Sequence, residues 1–273
     1  MSKQNLFMNS KVIWVFLHLP KTGGTTFSHH LEHNLKKEEI LSTSQLRYNL
    51  IPPKINKDKI RVILGHATYY GVHKMFPGRI PRYVVFLRDP AERFVSSYNF
   101  EMRTKKGENI PFLKWYESQL KDEMVYFLDM KFRGKEGAKA NLPRKILPFF
   151  GKIFQNKKVY IFFQKVYENY ISLFQSSDKI QKRKLENAQK LLDNCWHIGF
   201  IENLDQSLKL LFKEIGVPTE WKNQNVTEKT KSFFKLDEET RKKIYEDNKY
   251  DKELYDYAVK LRSKKNESFN VQH

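Results

Sequence analysis

The apolar run Val12–Leu17 leads without a break into His18-Leu-Pro-Lys-Thr-Gly-Gly-Thr-Thr-Phe27. A short continuous apolar run fits a strand buried on both faces. Beyond the glycine pair, Phe27, Leu31 and Leu35 recur at helical spacing, predicting a helix over Thr25–Leu35. A buried strand turning at once into a helix belongs to α/β folds, in which helices return over a parallel sheet. The turn itself is an anion site in outline. Gly23 and Gly24 let backbone N–H groups approach an oxyanion, and Lys21 brings a full positive charge. Thr22, Thr25 and Thr26 add hydroxyl donors, and the helix N-terminus points its dipole at the ligand. Thr25 and Thr26 suit helix caps equally well.

Two further apolar runs end in polar residues that belong at the same sheet edge. Ile60–Leu64 runs into Gly65-His66, and Tyr83–Leu87 into Arg88-Asp-Pro-Ala-Glu-Arg-Phe-Val-Ser-Ser-Tyr98. Asp89 suits an N-cap, Pro90 the first helical position, and Glu92 completes the spacing of a capping box, so a helix is expected from Pro90 to about Arg103. In parallel sheets ligands gather at the C-terminal ends of strands, which would bring Lys21, His66 and Arg88 to one edge. Arginine donates to phosphate through a planar fork and does not deprotonate. The loop is not an ATP/GTP loop, because there the lysine follows the last glycine, whereas Lys21 precedes both.

The lysine-first loop together with Arg88 and Ser96 resembles the sulfotransferases that use 3′-phosphoadenosine 5′-phosphosulfate (PAPS), most closely the Golgi-type carbohydrate enzymes. The resemblance implies a P-loop-like parallel sheet flanked by helices, with a helix-rich C-terminal half. It implies that Lys21 is catalytic at the leaving phosphate, and that Lys21, Thr22, Gly23, Gly24, Thr25, Thr26 and Phe27 wrap the 5′-phosphosulfate, mainly through backbone amides. Arg88 and Ser96, eight positions apart as in the family, would clamp the 3′-phosphate, with PAP as the product. Gly65-His66 is similar to a Gly-His in the heparan and dermatan 2-O-sulfotransferases, where such a histidine is the proposed base. In other branches a glutamate takes that role, so an acidic residue is the alternative, and His73 is a second histidine nearby. Gly199-Phe-Ile-Glu202, the Ser207-Leu-Lys-Leu-Leu211 segment, Asn223–Thr227 and Tyr250–Leu261 also resemble the family's C-terminal part.

The other histidines and the helix side chains read as structural. His18 would pack or orient the loop, His29, His30 and His33 lie on the first helix, Arg93 makes an ion pair, and Tyr98 packs against the sheet. The single cysteine, Cys195, excludes an internal disulfide and reads as a core residue. No His/Cys/carboxylate set has metal-ligand spacing, so no metal is required.

Charge narrows the partners. Lys and Arg number 50 against 31 Asp and Glu, a net +19, and residues 131–190 hold 15 of those cations but only 4 acids. Such a surface favours acidic ligands, and an acidic or neutral glycan acceptor follows from the resemblance, while solvated lysines remain the plain alternative. A basic nucleic-acid-binding protein would share the charge but leaves the loop and the Arg88/Ser96 pair without a purpose, so no specific nucleic acid is expected. A P-loop NTP-dependent kinase is a further alternative, but this chain lacks the Gly-Lys-Ser/Thr order, and Asp89, the nearest strand-end aspartate for magnesium, reads better as a helix cap. A module that only binds PAP is a third alternative. No apolar run approaches the roughly 18 residues that span a bilayer, and the first residues lack a signal-peptide pattern. A soluble, microbial-type, cytoplasmic enzyme is the expectation, of unknown oligomeric state.

One domain is expected over residues 1–273: a nucleotide-binding core at 12–104, a variable acceptor or lid region at 105–194, and a C-terminal strand and helices at 195–265. Met1–Lys11 reads as a leader, Pro111–Leu128 as one helix, and Lys131–Gly151, with its glycines and prolines, as a loop or lid. Lys158–Phe174 fits strand or helix, and His197–Ile201 a late strand leading into a helix from Glu202 to Leu211.

Overall fold

The computed structural model describes residues 11–42, 55–66, 68–104, 110–140, 177–221 and 234–270. The chain runs β1 (Val12–Phe16), α1 (Gly24–Asn34), β2 (Ile40–Ser42), β3 (Val62–Leu64), β4 (Ile80–Leu87) and α2 (Pro90–Thr104). It continues through α3 (Phe112–Glu117), α4 (Glu123–Ala140), α5 (Asp178–Asp193), β5 (His197–Phe200), α6 (Leu204–Ile215), α7 (Glu238–Asp247) and α8 (Lys249–Asn270). The strands form one sheet in the order β2-β3-β1-β4-β5, and every neighbouring pair is parallel. The α/β architecture expected from the alternating runs is therefore present, with helices on both faces.

Strand alternation divides the core in two. Ile13, Val15 and Leu17, with Ile63, Tyr83, Val85 and Leu87, face α4, α5 and α8 through Met124, Val125, Leu128, Leu185, Leu191, Leu192 and Leu254. Trp14 and Phe16, with Val62, Val84 and Phe86, face α1 and α6 through Phe27, Leu31, Leu208, Leu211 and Phe212. Both faces of each central strand are covered, which is why those strands read as unbroken apolar runs. Each side chain of this size withdrawn from water contributes about 1.5–3 kcal/mol. A third cluster joins α2, α3 and α7 through Phe94, Tyr98, Phe112, Trp115, Tyr116 and Ile244.

Register sets the functional edge. Trp14 lies opposite Val62 and Arg82, and Val15 opposite Ile63 and Tyr83. The C-terminal ends of β3, β1 and β4 are thus side by side, and the residues that follow each strand emerge along one line. Strand β4 runs past Val84, the partner of Phe16, to Leu87.

Several boundaries differ from those expected. Strand β4 begins at Ile80 rather than Tyr83, β2 has too few residues to stand out in the sequence, and β5 ends at Phe200 before a 3₁₀ turn at Ile201–Asn203. The single helix expected over Pro111–Leu128 is two, α3 and α4, parted at Asp122, whose φ is +49°. The loop expected from Lys131 is helical as far as Ala140. A kink at Gly134, whose φ of +55° is not helical, parts it into two helical pieces, and a Cβ there would stand 3.1 Å from the Tyr70 carbonyl. Glycine content signalled a loop, but burial of Met124, Val125 and Leu128 on the sheet outweighs that local preference. Residues 141–151, Lys158–Phe174, Asn223–Thr227 and nearly all of the leader lie outside the described residues. Among the described residues no helix is long and apolar enough to cross a membrane.

The break at Asp122 has a physical cause. The Asp122 carboxylate accepts from the N–H groups of Tyr250 (3.0 Å) and Asp251 (2.9 Å) in the first turn of α8. Asp251 returns the bond, accepting from Met124 (3.1 Å) and Val125 (2.8 Å) in the first turn of α4. Two helix N-termini thus cap one another, and Arg93 of α2 lies beside the pair, bonded to Glu123 and 4.0 Å from Asp251. Buried N–H groups without acceptors are costly, so the arrangement holds α4 and α8 together. Asp122→Ala should lower stability by about 1–3 kcal/mol, because it removes the cap and leaves alanine at positive φ. Asp122→Asn, which keeps an acceptor and tolerates that conformation, should lose markedly less in the same urea titration.

Candidate functional site

The turn from β1 into α1 is held by unusual backbone geometry. Lys21 has φ +65°, a conformation rarely adopted outside glycine, and Gly23 follows at +78°. The Thr22 hydroxyl is buried and donates to the Leu19 carbonyl at 3.0 Å, tightening the turn from inside. Helix α1 starts at Gly24, with Gly23 as N-cap and no side-chain cap, so neither Thr25 nor Thr26 caps it. The N–H groups of Thr26 and Phe27 donate to the Gly23 carbonyl at 3.2 and 3.5 Å. Those of Gly24 and Thr25 have no acceptor within the helix and stand open at its positive end. Thr25 is exposed and Thr26 buried. Phe27 is 1% exposed and packs on Phe16, Phe86 and Phe212, so its ring serves the core and only its backbone belongs to the turn.

Both glycines have neighbours that leave no room for a side chain. A Cβ on Gly23 would fall 2.6 Å from Ile201 Cδ1, and one on Gly24 would fall 2.3 Å from two atoms of the His18 ring. The loop therefore rests on the β5–α6 turn on one side and on His18 on the other. Close packing is thus one reason for glycine here, and it had no signal in the sequence.

Strand β4 delivers Arg88 to the same edge. The guanidinium Nε is buried without a hydrogen-bond partner among the described residues. Burial lowers the Arg88 pKa, while the nearby carboxylates of Glu92, Glu202 and Asp89 act in the opposite sense. Asp89 caps α2 as expected, Oδ1 accepting from the N–H groups of Ala91 (3.0 Å) and Glu92 (3.1 Å). The capping box does not close: Glu92 bonds Arg241 of α7 at 2.7 Å, and Glu202 accepts from the Asp89 N–H at 3.2 Å. Tyr245 donates its hydroxyl to Asp89 Oδ2 at 2.8 Å. Contacts from α7 and from the turn before α6 thereby fix the start of α2, and Arg88 with it.

Helix α2 carries Ser96, Phe100 and Arg103 at spacings that share one face. That face meets Lys21, whose Nζ sits 3.8 Å from the centre of the Phe100 ring. Burial lowers the Lys21 pKa, and the charges of Arg103 and then Arg88 lower it further. Three cations thus converge from the β1–α1 turn, the end of β4 and α2, and among the described residues no carboxylate pairs with Lys21. Repulsion of this kind is relieved by an anion. Phe100 and Arg103 had gone unnoticed in the sequence, though the helical spacing from Ser96 could have found them. Arg93 makes the expected ion pairs, whereas Tyr98 packs in the α2–α3–α7 cluster instead of on the sheet, donating to the Ile110 carbonyl at 2.6 Å.

The third strand end places His66 beside the loop. Its ring stacks on His18 with centroids 4.0 Å apart, and His18 stacks on Phe16. His66 keeps solvent-exposed surface. Its pKa is lowered by partial burial and by the charge of Lys131, so its neutral form, the form that accepts a proton, is favoured. His18 is held down to about 3, mainly by burial, and stays uncharged. His73 is elsewhere: its Nδ1 lies 2.7 Å from the Tyr83 hydroxyl, in the loop that precedes β4. His30 bonds the Pro218 carbonyl and His29 stacks on His33, both on α1. Cys195 is buried, its thiol pushed up to about 12. Among the described residues no group of three or more His, Cys, Asp or Glu side chains could hold a metal ion.

The described edge therefore combines an open helix N-terminus, unneutralised cations and a neutral imidazole, which suits binding an anion next to a proton acceptor. The family model described as "Sulfotransferase family" matches residues 4–258, nearly the whole chain, and the chain belongs to that family as a sulfotransferase. No curated protein matches it. Gly24→Ala should lower stability by about 1–3 kcal/mol by overpacking the His18 ring. The accompanying shift of the His18 and His66 imidazole resonances would show by NMR that the two rings are held through this glycine.

Proposed function

We propose that this sulfotransferase moves a sulfuryl group from PAPS to a hydroxyl of a glycan, acidic or neutral, at the edge formed by β3, β1 and β4. The observation that carries the reading is Lys21, held at positive φ beside Arg88 and Arg103 with no carboxylate to pair with it among the described residues. The residues present fit such a donor. The partnerless Nε of Arg88 offers a buried donor to a phosphate oxygen, and Ser96 lies two turns into the helix that follows. Thr22, Gly23, Gly24, Thr25, Thr26 and Phe27 line the turn that would surround the phosphosulfate, with the open N–H groups of Gly24 and Thr25 at its centre.

PAPS supplies the activated sulfuryl group. The protein's part is to hold the donor, balance charge and accept a proton. Lys21 stabilises charge that grows on the leaving phosphate. His66, neutral and stacked on an uncharged His18, takes the proton of the acceptor hydroxyl. The net charge of +19 supports an acidic glycan through long-range attraction. Binding and transfer would both weaken with salt.

Calorimetry with PAP tests the donor site. PAP should bind without magnesium and in preference to ATP or GTP, and Arg88→Ala should weaken it by about 10- to 100-fold, the loss of one charge-assisted bond. Preference for magnesium–ATP, or no PAP binding, would refute the reading. His66→Asn should reduce turnover by about 10²–10⁴-fold while leaving PAP affinity intact. In the unaltered enzyme kcat/KM should rise with pH through a midpoint below the ordinary histidine value, because the working form is the neutral one and its pKa is lowered. A midpoint above that value would remove His66 as the base.

A further inference from the structure

Lys131 stands out among the groups that the proposed chemistry does not use. It lies in α4, 5% exposed, and its ammonium donates to the carbonyls of His66 and Thr68, both at 3.0 Å. No carboxylate accompanies it among the described residues. Asp129, two residues earlier in α4, is committed to Arg133 (2.9 Å) and Asn187 (2.8 Å). A buried lysine held only by carbonyls keeps its charge at a cost, and here burial lowers its pKa to about 7. Such an arrangement calls for a purpose beyond packing.

Its surroundings supply one. The segment after β3 is anchored twice. Thr68, 1% exposed, donates its hydroxyl toward the carbonyls of Phe16 (2.6 Å) and Gly65 (2.7 Å), and Lys131 holds the carbonyls of His66 and Thr68. Among the described residues the titratable groups facing the His66 ring are His18 from the loop after β1 and Lys131 from α4. These three groups are so close that charge on one disfavours charge on the others. The lysine is bonded to two acceptors that stabilise its proton, whereas among the described residues neither imidazole has a carboxylate to stabilise its own.

We propose that Lys131 is a positioning residue for His66: through the two carbonyls it fixes the imidazole against the His18 ring, and its ammonium keeps that imidazole neutral and ready to accept a proton. The proposal rests on the reading of His66 as the base, and it reaches across the molecule, tying a helix beyond the nucleotide-binding strands to the acceptor side of the site. An arginine can keep both the charge and the donors. A methionine keeps the apolar stem alone, and a glutamine keeps donors without charge.

The test is the titration of the His66 imidazole resonance, assigned by its loss in His66→Asn, in the ligand-free protein. The unaltered protein should titrate below the ordinary histidine value. Lys131→Met should move the midpoint up and shift the acid limb of kcat/KM in the same direction, with kcat reduced and the donor KM little changed. Lys131→Arg should restore the low midpoint. An unaltered midpoint in Lys131→Met, or an arginine variant that behaves as the methionine one, would overturn the proposal. Should the methionine variant fail to fold, Lys131→Gln gives the same comparison, since it too removes the charge. PAP calorimetry on the same proteins separates the two readings. A variant that binds PAP normally with an unmoved His66 midpoint defeats the role of Lys131 alone. Failure of the unaltered protein to bind PAP defeats the donor reading and leaves the titration to judge the lysine.

Discussion

Parallel pairing of β1 between β3 and β4 is the constraint on which the rest of the molecule depends. A parallel sheet cannot return through hairpins, so each strand must be followed by a crossover, and the crossovers cover both faces. With both faces apolar, polar chemistry has only the strand ends in which to appear. The shared direction of the strands collects those ends on one edge, where the Lys21 loop, His66 and Arg88 emerge from neighbouring strands. Their proximity is a consequence of register, with no direct bond between them required.

Electrostatics at that edge is arranged against local neutrality. Lys21 leans on the face of Phe100, while Arg88 and Arg103 raise the cost of its charge. The acids near Arg88 are occupied otherwise, Glu92 by Arg241 and Asp89 by its helix N-terminus and Tyr245. Lys21 is therefore left without a carboxylate partner among the described residues, whereas Glu92, Glu202 and Asp89 partly offset the charge of Arg88. Away from the edge the buried charges are matched: Arg93 with Glu123 and Asp251, and Asp122 and Asp251 with the helix N-termini they cap. Stability and ligand attraction are thus located in different parts of the same helices.

Legibility in the sequence followed the range of the interactions. The strand-to-helix junctions at Lys21 and Arg88 are local, built from residues within about ten positions, and their residue types declare the turn, the N-cap at Asp89 and the charge. The capping box at Glu92 was misread because its partner, Arg241, lies 149 residues away. Lys131 was misplaced for the same reason. Gly134 and Gly137 mark a loop by local preference, and the chain does kink at Gly134, but the apolar stripe of α4 docks on the sheet ahead of that kink and sets the lysine under His66.

By itself the sequence determined the class of fold, the order of the two strand-to-helix motifs and the three strand ends that bear Lys21, His66 and Arg88. Those features are written in periodicity, turn chemistry and residue type, all of which act over short stretches of chain. Only the tertiary structure decided that Gly24 must yield its space to His18 and that His18 must stack on His66. It alone decided that α7 fixes the start of α2, and that a lysine from α4 bonds the carbonyls of His66 and Thr68. Each of these depends on which distant surfaces meet when the two faces of the sheet are covered, and burial rewards any covering that fits without recording it in the order of neighbouring residues.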